Sequence, residues 1–159
     1  MERYSVETPR EAVGPILSGQ TLQPAEAFDL PCIRCGVCCT VYQVRISPAE
    51  ARHIAASMQA DYWDWVGQYC DPRWHDTRSH LIRHDAGGCV FLNRVTEEVA
   101  LCRIYAVRPL SCRDWAAGVF KPACQEGLKR YWQVHVDAAG NLTGEPSALA
   151  RLGHFLREL

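Results

Sequence analysis

The run Cys32-Ile33-Arg34-Cys35-Gly36-Val37-Cys38-Cys39 places four thiols within eight residues. In each C-x2-C unit a tight turn can point both sulfurs at one centre while nearby backbone N–H groups bond the thiolates, and Gly36 supplies conformational freedom inside that turn. Two overlapping units suit the local grip of a 4Fe–4S cluster by three cysteines, with the fourth coming from a remote position. A mononuclear zinc site also takes four ligands, so the spacing leaves iron and zinc both open, with copper(I) a distant third. The adjacent pair Cys38-Cys39 is more informative. Neighbouring side chains diverge, so Cys39 joins a second centre, bridges, or sits nearby as a buried thiol. With Cys89, Cys102 and Cys112 also available, the thiols exceed the four that one closed site needs, and two centres or a polynuclear cluster fit the count better.

Two further cysteines stand apart. Cys124 follows Pro122 at a helix start, where the helix dipole favours a thiolate, and is carried as an eighth metal ligand or a reactive group against an ordinary buried thiol. Cys70 closes an aromatic stretch and reads as core. Arg108 and Arg113 flank Cys112 and are assigned to cofactor binding, holding an anionic cluster or a substrate carboxylate through charge-assisted bonds. His80 and His84 are four apart, but the segment between them reads as strand or loop, which argues against a shared ligand face. There is no Ser/His/Asp order, phosphate loop or HExxH motif from which a hydrolase or kinase reading could start.

The sequence is similar to the YkgJ-type CxxCxxCC cysteine-cluster family, described as zinc- or iron-chelating domains. Three stretches carry the likeness: Cys32-x2-Cys35-x2-Cys38-Cys39, then Gly88-Cys89-Val90-Phe91-Leu92, then Cys102-Arg103-Ile104-Tyr105-Ala106-Val107-Arg108-Pro109-Leu110-Ser111-Cys112-Arg113-Asp114-Trp115. The resemblance implies Cys32, Cys35, Cys38, Cys39, Cys89, Cys102 and Cys112 as the metal-binding set. Val90 stands where the family often has Pro, and Trp115 where a smaller aromatic is common; both leave the thiols intact. Some longer relatives with this cysteine pattern act as lysine N-methylases of flagellin and are linked to an iron–sulfur cluster. The ligands carry over to this chain; that activity does not.

The chain has 159 residues, one domain's length, with 48% hydrophobic and 22% charged residues, an ordinary globular composition. Its formal net charge is −1, from 17 basic and 18 acidic residues, without a block of like charge, so nucleic acid is not the expected partner. No apolar run approaches the ~20 residues needed to span a bilayer, and Met1 to Pro9 lacks a signal-like apolar core, so a cytoplasmic protein without a membrane partner is expected. Nine cysteines in a reducing compartment imply thiolate–metal bonds rather than disulfides.

Residues 1–31 read as an extended N-terminal arm, with a possible short helix at 10–18, and residues 32–159 as the cysteine-cluster metal-binding domain. Thr40 to Ile46 alternates and is β-branched, which predicts a strand. Ser47, Pro48 and Glu50 announce a helix to about Met58 through an N-cap, a proline at the first helical position and a capping box. Asp61 caps a second helix carrying Tyr62, Trp63, Trp65, Val66 and Tyr69, read as core packing more than as a pocket. A strand is expected at Leu81-Ile82-Arg83. Cys89 to Leu92 and Val99 to Cys102 predict a hairpin that brings Cys89 close to Cys102. A short turn from Arg103 to Val107 ends at Pro109; helices follow from Ala123 to Val134 and, capped by Ser147, from Ala148 to Leu156. The expectation is an α+β domain with short strands and metal-binding loops packed against three or four helices. It would hold an iron–sulfur cluster or zinc, with redox or transferase activity. The alternatives are a non-catalytic zinc-stapled module that binds a protein partner, and metal buffering or delivery.

Overall fold

A computed structural model of the chain describes residues 30–159. Apart from its last two residues the expected arm, and the possible helix at 10–18, lie outside the described residues. The elements are α1 (Val37–Val41), β1 (Arg45–Ile46), α2 (Pro48–Ser57), α3 (Tyr62–Tyr69), β2 (His80–Leu81), β3 (His84–Asp85), β4 (Gly88–Cys89), β5 (Leu92–Arg94), β6 (Ala100–Cys102), a 3-10 turn (Tyr105–Val107), α4 (Leu110–Arg113), α5 (Pro122–Gly127), a π turn (Leu128–Trp132), β7 (His135–Val136), β8 (Leu142–Thr143) and α6 (Pro146–Arg157). The strands form four separate antiparallel ladders, β1 with β2, β3 with β4, β5 with β6, and β7 with β8. The class is α+β, as the sequence implies. The described residues contain six α-helices instead of three or four, because α1 and α4 are short turns of helix built into the cysteine loops.

The helix starts follow their local chemistry. Ser47 and Glu50 make the reciprocal capping box, Pro48 occupies the first turn, and Met58 closes α2. Asp61 accepts from the N–H groups of Trp63 and Asp64 at the start of α3. Ser147 does not cap α6: Glu145 is the N-cap residue and Pro146, with its preset φ, opens the helix, so Ser147 falls inside the first turn. The helix expected to reach Val134 runs as α-helix to Gly127 and then widens into the π turn, which ends at Gln133 with φ 54°. That wider turn leaves both Leu128 and Trp132 buried.

Two other expectations change. The predicted strand from Thr40 to Ile46 survives only as Arg45–Ile46, because the chain enters α1 after Gly36 and Thr40 Oγ1 donates to the Val37 carbonyl at 2.8 Å, so a helical carbonyl competes with β-branched propensity. In the hairpin, Leu92 and not Cys89 faces Cys102; Cys89 instead faces His84 in the preceding hairpin, whose turn is Ala86-Gly87. The strand expected at 81–83 splits, with His80–Leu81 paired to β1 and Ile82 bridged to Cys70. The β7–β8 hairpin has no counterpart in the sequence reading.

The interior is two apolar clusters. One gathers Ile33, Val37, Val119, Leu128, Trp132, Val134, Leu142, Leu149 and Leu152; the other gathers Ile46, Ile54, Trp65, Cys70, Ile82, Phe91 and Ile104. Trp65 is fully buried, stacks with Phe91 and meets Tyr69 at a tilt, so the inner face of the aromatic helix is core while Trp63 stays exposed. α1 packs against α5 on one side and β4 on the other, and so sits between the two clusters with Cys38 and Cys39 on it. No helix among the described residues is long and apolar enough to cross a membrane.

Asp71 is a buried carboxylate that ties this second cluster together. It accepts from the Arg73 backbone N–H, the Arg73 guanidinium and Gln43 Nε2, while its own N–H donates to the Leu81 carbonyl. The Arg73 guanidinium holds its carboxyl well below the usual carboxylate range. A folded-state pKa below the unfolded one adds stability that is complete above the ordinary value and lost as pH falls through the depressed one. Unfolding followed against pH therefore shows a loss of stability that begins below about pH 4. In Asp71→Asn that acid slope is shallower, and neutral-pH stability is lower because the charged bonds to Arg73 are gone.

Candidate metal centre

The first cysteines sit on a turn that needs two left-handed residues. Arg34 has φ 53° and Gly36 φ 76°. At Gly36 a side chain would press on Ala100 Cβ at 2.9 Å, so glycine serves both the dihedral and the close approach of β6. The turn is fixed from outside: Ala100 N–H donates to the Arg34 carbonyl at 2.7 Å, and Arg94 Nη2 to the Cys35 carbonyl at 3.0 Å. Cys32 is exposed, Cys35 buried, and Cys38 and Cys39 half-buried at the start of α1.

The eight candidate ligands fall into two groups. Cys32, Cys35 and Cys38 line one cavity of about 20 Å³ with Cys124, which enters from α5, and Leu30, Trp115 and Ala123 complete its wall. Cys39, Cys89, Cys102 and Cys112 are the others: Cys39 feels the charges of Cys89 and Cys112, and Cys112 those of Cys102 and Cys89 and, more weakly, of Cys38. The groups meet at Cys38 and Cys39, whose sulfurs are 3.9 Å apart. Cys70 stays outside both, buried beside Ile82, its thiol pushed up to about 11 by burial.

Burial opposes ionisation at most of these thiols. It pushes Cys35 and Cys112 up to about 11, with neighbouring sulfurs adding to the rise, and it also raises Cys89, Cys102 and Cys124. At Cys124 this outweighs the expected favour of a helix start. The Cys38–Cys39 pair behaves differently: the two sulfurs share a hydrogen bond in which either can donate, and it lowers Cys38 while raising Cys39 far above the ordinary thiol value. Backbone N–H groups work in the opposite sense to burial. Val37 donates to Cys35, Phe91 to Cys89 and Ile104 to Cys102, each from two residues further on, and Gly118 donates to Cys124.

This donor set fits a thiophilic cation. It offers soft sulfur, N–H groups aimed at that sulfur, and like-charge repulsion that a bound cation would reverse. Among the described residues no three His, Cys, Asp or Glu side chains yet stand close enough to hold a metal ion, so closing either group requires the thiols to turn inward. His80 and His84 do not share a face. His80 Nε2 lies 2.7 Å from the Tyr62 hydroxyl, and His84 Nε2 is buried without a hydrogen-bond partner opposite Cys89. Arg108 donates from Nε to the Tyr105 carbonyl and lies over the Tyr105 ring, and Arg113 faces Glu50. Sequence reasoning missed the pairing of Cys124 with the first three cysteines; its nearest signal was Pro122, which places that thiol at a helix start.

Gly127 on α5 makes room for this packing, since a Cβ there would overlap Cys35 Sγ. Gly127→Ala is expected to cost about 1 to 3 kcal/mol despite the better helix propensity of alanine, and to lower metal content by displacing Cys35. Gly67→Ala on α3 meets nothing within 4 Å and serves as the contrast, being neutral or stabilising by up to about 1 kcal/mol. Thermal unfolding and elemental analysis of the two variants side by side distinguish a cradle at Gly127 from a generic glycine effect.

The CxxCxxCC family model, described as a "putative zinc- or iron-chelating domain", matches residues 31–126, a span that contains all nine cysteines. Two relatives of undetermined function are similar. The uncharacterized protein MJ0661 of Methanocaldococcus jannaschii is 30% identical over 82 residues, 52% of this chain and 41% of that protein. The uncharacterized protein YkgJ of Escherichia coli O157:H7 is 27% identical over 105 residues, 64% of this chain and 91% of that protein. The chain thus spans about two fifths of the archaeal relative and nearly all of the bacterial one. No solved structure matches. With more than half of its length in that model and its thiols gathered as described, the chain belongs to the CxxCxxCC family of zinc- or iron-chelating domains.

Proposed function

We propose that residues 32–159 hold two four-thiolate metal centres, one on Cys32, Cys35, Cys38 and Cys124 and the other on Cys39, Cys89, Cys102 and Cys112. The observation that carries this reading is the division of eight cysteines into two groups of four that meet at one peptide unit. In this reading Cys38 and Cys39, whose sulfurs lie 3.9 Å apart, serve different centres across one peptide unit. Four thiolates close a site, which supports electron storage or a structural role over an open catalytic position. The C-x2-C-x2-C run supports iron–sulfur occupancy of the first centre, and the second is of the same donor type. Such clusters, when bound, supply one-electron transfer; zinc supplies folding energy alone.

The chain's own residues prepare both centres. The N–H groups of Val37, Phe91, Ile104 and Gly118 stabilise sulfur charge, and Arg108 lowers the cost of ionising Cys102 and Cys112. In this reading Arg108 and Arg113 offset the negative charge of the second centre or hold a substrate carboxylate beside it. The protein works in a reducing compartment, where the thiols stay available for metal, and residues 1–31 precede the metal domain.

Elemental analysis and visible absorbance of anaerobically purified protein test the proposal. Brown protein with iron and sulfide, and more than one metal atom per chain, is the expected result; colourless protein with stoichiometric zinc replaces the electron-transfer reading with the zinc-stapled module. Cys124→Ser should empty the first centre and spare the second, and Cys102→Ser the reverse. Folded protein with no metal, or a single centre lost in both variants, removes the two-centre arrangement.

A further inference from the structure

Between α2 and the stretch from the 3-10 turn into α4 lies a groove of about 300 Å³. Its floor is apolar, with Ile54 and Pro109 buried and Val107 half-buried. The charged groups on it are Arg108, Arg113 and Glu50, with His53 at the exposed edge. Glu50 is already committed: one oxygen accepts from the Ser47 N–H and hydroxyl at 2.9 and 3.0 Å, the other from the Leu110 N–H at 2.9 Å. Arg108 is held in place by its Nε bond to the Tyr105 carbonyl at 3.1 Å and by the Tyr105 ring 3.6 Å below its central carbon, which leaves its two terminal nitrogens for another acceptor. Arg113 meets Glu50 through charge without a hydrogen bond. Two guanidinium groups therefore face one bonded carboxylate across an apolar floor, and the groove carries excess positive charge.

We infer that this groove binds a small aliphatic carboxylate, its charged end between Arg108 and Arg113 and its carbon chain on Ile54, Val107 and Pro109. The volume lies at the small end of ligand pockets, which suits a metabolite-sized molecule. Guanidinium pairs planar carboxylate bidentately, and the apolar floor favours a ligand with a hydrocarbon body over a bare anion. Inorganic phosphate would satisfy the charge and leave the floor uncovered. The groove adjoins the segment that carries Cys112, so the ligand sits beside the second thiol group; its role as a substrate rests on the proposed centres, whereas its binding does not.

The test is isothermal titration calorimetry of the purified full-length chain, as isolated, with glutarate, inorganic phosphate and neutral glutaramide as probes. Saturable binding of glutarate, weaker binding of phosphate and none of glutaramide is expected. Arg113→Gln, a surface change that removes no hydrogen bond within the fold, should weaken glutarate roughly tenfold or more with unchanged melting temperature. Arg108→Gln should weaken glutarate as well, and because it also loses the bond to the Tyr105 carbonyl and the charge beside Cys102 and Cys112, its melting temperature and metal content are read alongside. The inference is overturned if glutarate does not bind saturably, if glutaramide or phosphate binds as well, or if both variants bind like the parent. Metal content measured on the same samples keeps the two readings apart: metal-free protein that still binds glutarate fails the centres alone, and metal-replete protein that does not bind it fails the groove alone.

Discussion

The crowding of thiols in a partly dry interior is the constraint on which this structure depends. Eight sulfurs come from five segments, and at Cys35 and Cys112 burial is the largest cost of ionising, with neighbouring sulfurs adding to it. Such a cluster is unfavourable as a set of anions and favourable as a set of ligands, because a cation turns every repulsive pair into a shared attraction. The surrounding N–H groups and the Arg108 guanidinium lower the cost of each thiolate but leave the mutual repulsion among the sulfurs in place. Cys70 shows the contrast: it is more buried than any of the ligand candidates, yet only burial raises its thiol, and it packs beside Ile82 as a small apolar residue.

Regular structure here is short because the sulfurs, not a continuous sheet, set the path of the chain. Four ladders of two or three residue pairs cannot stand alone as hairpins in water. They persist by packing on the two apolar clusters and by bonds that cross between segments, among them Ala100 N–H to the Arg34 carbonyl and Arg94 to the Cys35 carbonyl. Glycine serves the same end at two points. Gly36 admits β6 against the cysteine turn, and Gly88, with φ 105°, lets β4 lie on the backbone of Cys39 and Thr40.

What the sequence made legible was local. The capping box at Ser47 and Glu50, the Asp61 cap and the thiol spacing of the first turn are set within a few residues, and the structure has the two helices where those signals point. The expectation of more than one centre came from the thiol count, whereas the divergence expected of Cys38 and Cys39 is not what their side chains do: the two sulfurs lie 3.9 Å apart and share a hydrogen bond. Misreadings arose where a distant contact overrode local preference. Thr40 to Val44 looks like strand until Gly36 and the Val37 carbonyl turn its start into helix, and the ladder sets Leu92 opposite Cys102 while Cys89 pairs in the earlier hairpin, although the Cys89 thiol still feels the charge of Cys102. The approach of Cys124 to Cys32 and Cys38 depends on α5 packing against α1, across more than eighty residues, for which no pattern in the sequence is sufficient.

α1 is where these threads join. A five-residue helix is far below the length that is stable by itself in water, so its existence depends on what it touches. It touches α5 on the side of one apolar cluster and β4 on the side of the other, and it carries one cysteine for each thiol group. Val37 is its buried apolar residue, too little burial by itself to hold two clusters together. The two halves also meet through the hydrogen bond between Cys38 and Cys39 and through the bonds of Ala100 to the Arg34 carbonyl and Arg94 to the Cys35 carbonyl. If the two proposed centres are filled, metal on either side would fix the orientation of the same turn of helix. In that proposal metal occupancy and the docking of the two cores would be coupled through α1, the element both share.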